Sequence, residues 1–130
     1  MERKYNRSKG NKWEDYACSY LRERGVFIKD RNVKTYRSGE IDIVGIDEDG
    51  IWIFAEVKYR SSKAAGSAQE AVSFHKQQSI CRAADFCRLK YHIPVSAGIR
   101  FDVIAINGRG RLAEPEVNWI RNAFAYIGKG

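Results

Sequence analysis

Four charged side chains stand in two otherwise apolar segments. Glu40, Asp42, Glu56 and Lys58 occupy alternate positions of "GEIDIVGI" (39–46) and "IWIFAEVKYR" (51–60). Suppose the segments pair as an antiparallel hairpin whose loop is Glu48-Asp49-Gly50, with Gly50 taking the left-handed backbone such a loop wants. Asp47 then faces Ile51, Ile46 faces Trp52, Val44 faces Phe54, Asp42 faces Glu56 and Glu40 faces Lys58. Opposite residues share a face, so all four charges converge on one side. Ile41, Ile43, Ala55 and Val57 make an apolar surface on the other. A two-residue loop would slip the register by one and put the acids on opposite faces.

Two carboxylates directly across a ladder repel unless a proton, a cation or basic partners neutralise them. A hard divalent ion held by Asp42 and Glu56 is a natural answer. Lys58 lies about 6–7 Å beyond Glu56 along the same face. From there an ammonium could hold or activate a metal-bound water without displacing the metal. The plainer account is a Glu40–Lys58 ion pair with both acids on a solvated face. Against it stand Val44, Phe54, Ile46 and Trp52, which predict that this face is largely buried, and buried charge without a task is uncommon.

The remaining composition narrows the chemistry. With only His75 and His92, and with Cys18, Cys81 and Cys87 in no zinc or disulfide spacing, a metal would have to be held by oxygens. That favours Mg2+ or Mn2+ over zinc. The cysteines are expected to be buried structural thiols. A formal charge of +7 over 130 residues favours a polyanion, nucleic acid first and an anionic membrane surface second. No run approaches the ~18 apolar residues of a membrane span. The charged N-terminus leads into no apolar stretch and so is no secretory signal, which makes the cytoplasm the expected compartment.

These residues need a scaffold. Residues 1–11 are polar and basic and read as a loose tail, leaving 12–130 as a single domain. Trp13, Tyr16, Ala17, Tyr20 and Leu21 recur at helical spacing, with Asn11 and Glu14 placed as a capping box and Gly25 as a stop. A short strand at Val26–Ile28 precedes a turn-like Asp30–Asn32. After the hairpin and a small-residue loop, a second helix runs to about Lys90. Either Ser67 with Glu70, or Ser73, starts it. "GIRFDVIAI" (98–106) is a further strand closed by Asn107-Gly108. "EVNWIRNAFAYI" (116–127) reads as a closing helix with Trp119, Ile120, Ala123 and Phe124 inward. The interval from Arg60 to Gly98 admits a helical crossover, so the later strand can pair in parallel with one of the hairpin. The expected class is α/β, a central mixed sheet flanked by helices.

At "GEIDIV", "FAEVKYR", "AV" with Lys76, and "RFDVIAI" the chain resembles the YraN family of small bacterial proteins, in order and spacing from about Asn11 to Phe124. That family looks like part of the restriction-endonuclease-like superfamily, whose signature is an Asp followed on the next strand by Glu-x-Lys. The resemblance implies a restriction-endonuclease-like domain in which Asp42 and Glu56 bind Mg2+ or Mn2+ and Lys58 positions water or stabilises charge. It also implies that Glu14 can complete the metal shell, its other role being the helix cap, and that Glu40 lies near the metal. Arg60, Lys76, Gln77 and Arg100 become candidate phosphate contacts. Asp102 matches "RFD", with a structural role an equal alternative. Trp13 departs from the family, which usually has Gly before the first-helix Glu.

The implied activity is metal-dependent hydrolysis of DNA, structure-selective on branched or single-stranded substrates and carried out by a homodimer. The sequence shows no recognition helix or aromatic platform that would read bases. A nucleic-acid-binding protein that keeps the fold without turnover is the alternative.

Overall fold

Both faces of one twisted sheet are apolar, and a helix covers each. The computed structural model describes residues 2–61, 72–110 and 113–128, with side chains from 12 onward except at 36. Helix α1 (Glu2–Arg22) is followed by β1 (Phe27–Lys34), a 3-10 turn (Tyr36–Ser38), β2 (Glu40–Ile46) and β3 (Trp52–Arg60). Helix α2 (Phe74–Lys90), β4 (Ile99–Asn107) and β5 (Glu116–Phe124) complete the chain. The strands lie in chain order, antiparallel except for β3 and β4, which run parallel across the α2 crossover. This is an α/β domain with a mixed sheet flanked by helices.

Alternation along the strands divides the core in two. On one side Ala17, Cys18 and Leu21 of α1 pack on Ile43, Ile53, Ala55, Ile104 and Ile106. On the other, Ile80, Cys81, Ala83, Ala84 and Cys87 of α2 pack on Val44, Phe54, Phe101, Val103 and Ala105. Val57 lies with the α1 cluster as expected, but Ile41 packs with its ladder partner Val33 in the α2 cluster. All three cysteines are buried thiols.

The three-residue hairpin loop is present. Gly50 sits at φ +82°, Asp47 N–H donates to Ile51 O at 3.0 Å, and the ladder runs Ile46–Trp52, Gly45–Ile53, Val44–Phe54, Ile43–Ala55. Asp47 also ties the loop, its Oδ1 accepting from the Asp49 and Ile51 amides. Helix α2 starts at the later of the two expected caps, where Ser73 Oγ accepts from Lys76 N–H at 3.1 Å. The other candidate, Ser67 with Glu70, lies outside the described residues. Close approach fixes where α2 lies. A Cβ on Gly39 would meet the Ala83 backbone N at 3.0 Å, and Ser79 Oγ donates to Ser38 O at 2.6 Å. The second and third turns of α2 are thereby held against the start of β2.

Three expectations need correction. Helix α1 runs through Asn11 instead of starting there, so the Asn11–Glu14 capping box is not how this helix begins. The turn-like Asp30–Asn32 lies inside β1, where a register shift between Ile28 and Asp30 absorbs the extra residue and Asn32 adopts φ +53°. The closing helix is the strand β5. Its ladder with β4 jumps from Val103–Ile120 to Phe101–Phe124, and Asn122 within the jump has φ +55°. Val117 and Trp119 pack on the α1 side, while Ile120, Ala123 and Phe124 pack on the α2 side. Ile120 and Phe124 share one side as strand alternation requires, and the irregularity turns Ala123 to that side too, which imitates the i, i+3, i+4 spacing of a helix.

Candidate active site in a fork between two strands

The β2–β3 ladder ends at Ile43–Ala55, although both strands continue: β2 stays on β1 to Glu40, and β3 stays on β4 to Arg60. The sheet forks there. Within the fork Asp42 Oδ2 accepts from Val57 N–H at 2.8 Å, so a side chain takes the place of a ladder carbonyl. Asp42 and Glu56 come together across the gap, close enough that each carboxyl is influenced by the other. They share the α2 face with Val44 and Phe54, as the three-residue loop requires.

One cation approaches from α2 and another from β1. Lys76, three residues beyond the Ser73 cap, places Nζ 3.8 Å from Glu56 Oε1 and 3.9 Å from Glu40 Oε1. From the other helix, Glu14 is close enough to feel the Asp42 charge, and its Oε1 lies 3.5 Å from the Arg31 guanidinium. Arg31 also pairs with Asp15 at 2.6 Å. The sequence ranked Lys76 only as a phosphate contact. Its place beside Glu40 and Glu56 depends on the packing of α2 against Gly39, which no local pattern reveals.

The electrostatics report a site short of positive charge. Burial, then the Asp42 charge, push the Glu56 carboxyl up to about 8, with Lys76 opposing. Burial raises Asp42 too, against the Val57 amide and Lys76. Glu14 is raised by burial and by Asp42. Glu56 Oε1 and Glu14 Oε1 are buried and make no hydrogen bond. Lys76 and Arg31 attract them from ion-pair distance, beyond good hydrogen-bond geometry.

These features fit a small hard cation at Asp42 and Glu56. The pair is buried and like-charged, and an oxygen of Glu56 is orphaned. Among the described residues no three His, Cys, Asp or Glu side chains form a ready-made cage. Mg2+ does not need one, because it is commonly held by one or two carboxylates with waters and substrate phosphate completing its shell. Glu40 and Glu14 stand at the margins, each engaged by a cation.

The other expected residues separate. Lys58 follows Glu56 on the same face, and Arg60 ends β3. Gln77 donates its Nε2 to Val72 O at 2.9 Å, bracing the start of α2. Arg100 does not join the site. Its guanidinium is held by Asp47 at 3.1 Å and Asp102 at 3.1 Å, near the hairpin loop. Asp102 is fully buried and also accepts from Trp119 Nε1 at 2.8 Å and from Asn122 N–H at 2.9 Å. It clamps the irregularity of β5, which makes it structural. Sequence reasoning also missed an aromatic pair, Trp13 on α1 stacked on Tyr59 of β3 at 4.1 Å. Their separation of 46 positions hides the pairing, and the Trp13 departure was its one signal.

Among the described residues no helix is long and apolar enough to cross a membrane. A family model described as "Uncharacterised protein family UPF0102" matches residues 13–106. A UPF0102 protein of Aliivibrio fischeri strain MJ11 is 40% identical over 125 residues, covering 95% of this chain and 97% of its own. One from Francisella tularensis subsp. tularensis strain SCHU S4 is 39% identical over 118 residues, covering 91% and 95%.

Proposed function

This chain belongs to the UPF0102 family, the YraN family that its motifs resemble, and from its forked acidic site we propose that it is a metal-dependent endonuclease hydrolysing DNA phosphodiester bonds. The observation that carries the reading is the buried Asp42–Glu56 pair, with an orphaned Glu56 oxygen and with Lys58 and Lys76 nearby. Mg2+ or Mn2+ held there would supply a Lewis acid that lowers the pKa of water and offsets charge on the phosphate.

The chain's own groups divide the remaining work. Asp42 is oriented by the Val57 amide, so its free oxygen is aimed without rotamer search. Glu56 turns its orphaned oxygen toward the same space as Lys76. Lys58 keeps an ammonium beside the phosphate, where it stabilises charge that builds as water adds to phosphorus and the P–O bond to the leaving strand breaks. Lys76 balances Glu40 and Glu56, and with a cation held at Glu56 its ammonium would be available to a phosphate. Arg60 and the overall +7 charge hold the strand. Branched DNA engaged by a homodimer is the substrate form that the superfamily resemblance suggests.

One observation favours a second reading, nucleic-acid binding without turnover: Lys76 and Arg31 already pair with Glu40, Glu56 and Glu14. The deciding assay incubates purified protein with Mg2+ or Mn2+ and single-stranded, duplex, flap and four-way-junction DNA. Cleavage that disappears in Asp42→Ala and Lys58→Ala supports the nuclease. No cleavage of any substrate, or cleavage unchanged in both variants, overturns it. Salt-sensitive binding that survives both substitutions, with no cleavage by the parent, supports the second reading.

A further inference from the structure

A cavity of about 590 Å³ opens on the α1 side of β3, lined by Lys12, Trp13, Tyr16, Tyr59, Arg109 and Pro115 among others. It lies outside the carboxylate fork but adjoins it in the chain at two points. Trp13 precedes Glu14 on α1, and Tyr59 follows Lys58 on β3. The Trp13 and Tyr59 rings stack at 4.1 Å with 11° between their planes, and Tyr16 meets Trp13 edge-on at 5.9 Å. Tyr59 is 36% exposed, so part of the stack reaches solvent. Lys12 Nζ stands 5.1 Å over Trp13, and Arg109 is an exposed cation on the wall. An acid is present as well: Glu114 lies near the Tyr16 hydroxyl.

We propose that this cavity is a binding site for an unpaired nucleobase of single-stranded DNA. Its base extends the Trp13–Tyr59 stack, and its flanking phosphates meet Lys12 and Arg109. The chemistry of the wall selects this occupant. Aromatic faces bind every base through its π-face, and cations beside them bind the backbone, which is how sequence-tolerant single-strand sites work. The volume falls within the usual range for small-ligand sites, about 300–1,000 Å³. A purely apolar partner would leave Lys12 and Arg109 unused, and a flush duplex keeps its bases within the stack. The inference rests on the nucleic-acid reading above and deepens it by naming the substrate class, strands with an unpaired nucleotide.

The test is binding without divalent ion, which separates it from cleavage. Fluorescence anisotropy would compare a labelled oligothymidylate with an abasic strand of equal length and with a flush duplex, all in chelator. The base-bearing strand should bind roughly tenfold more tightly than the abasic one. Tyr59→Ala should remove that preference, Tyr59→Phe should keep it, and Arg109→Ala should weaken both single strands alike. Equal binding of base-bearing and abasic strands overturns the proposal, as does no binding at all. A Tyr59→Ala variant that folds, by circular dichroism, and keeps the preference also overturns it. If that variant fails to fold, Tyr59→Leu, which keeps bulk without a π-face, decides in the same way. Parent cleavage that needs Asp42 but shows no base preference would leave the nuclease reading standing and this inference refuted; base-dependent binding without cleavage would do the reverse.

Discussion

Asp42 Oδ2 accepts the Val57 amide at 2.8 Å, and the strands that carry these residues have by then ceased to pair. The side chain that opens the sheet is thus the one the opening presents. A regular ladder would leave Asp42 and Glu56 pressed together with no room for a cation between them. The fork supplies that room and lets Lys76 approach from α2.

Replacing Asp42 with Asn separates its structural role from its charge. The amide oxygen still accepts from Val57, so stability should change by only about 1 kcal/mol. Cleavage in Mg2+ should fall ~100-fold or more. Thermal unfolding and initial rates measured on one preparation check both; a variant that cuts at the parental rate removes Asp42 from the chemistry.

Stability without metal should fall as pH rises. Burial and Asp42 raise the Glu56 carboxyl from 4.5 to about 8, so between those values the folded state binds more protons than the unfolded chain. The stability tied to that proton is fully present below pH 4.5 and is lost through pH 8. Asp42 is shifted in the same direction. Asp47, held low by the Ile51 and Asp49 amides and Arg100, works oppositely, but only at more acidic pH. Urea titrations in chelator from pH 5 to about 9 should show the decline, and Mg2+ should stabilise more at the alkaline end. A flat profile would mean that the pair is not buried in solution.

Removing Lys76 should expose its two roles. In Lys76→Met, Glu56 loses the countercharge that opposes its upward shift, so the stability decline should move to higher pH. Cleavage should drop ~10- to 100-fold if the ammonium also meets substrate. Stopped-flow or gel-based rates against Mg2+ concentration read the second effect. A variant with parental rate and parental pH profile would make Lys76 a bystander.

Asp102→Ala should be costly in stability. The carboxylate is fully buried and satisfies Arg100, the Trp119 indole and the Asn122 amide. Its loss strands the Trp119 indole and the Asn122 amide and leaves Arg100 only Asp47, for about 3–5 kcal/mol. Cleavage per folded molecule at low temperature should survive. Denaturation midpoints and active-fraction assays distinguish this from a catalytic defect, in which rate falls while the midpoint holds.

The sequence by itself determined the hairpin, and it favoured the three-residue loop, the shared face of Asp42 and Glu56, and a parallel return of β4, all of which the structure has. Each follows from a local rule: a two-residue alternation, a glycine in a left-handed position, and a crossover long enough for a helix. Tertiary structure decided the rest. The spacing of Ile120, Ala123 and Phe124 reads as helical because an irregularity, clamped by Asp102 from another strand, turns Ala123 to the face that Ile120 and Phe124 already share. Arg100 and Lys76 look alike as basic residues, yet Asp47 and Asp102 retain the first while helix packing on Gly39 brings the second to Glu56. Periodicity records what one segment does with its own two faces. Where a side chain finds its partner across elements is set by packing, and the fork, the lysine and the aromatic cavity all arise there.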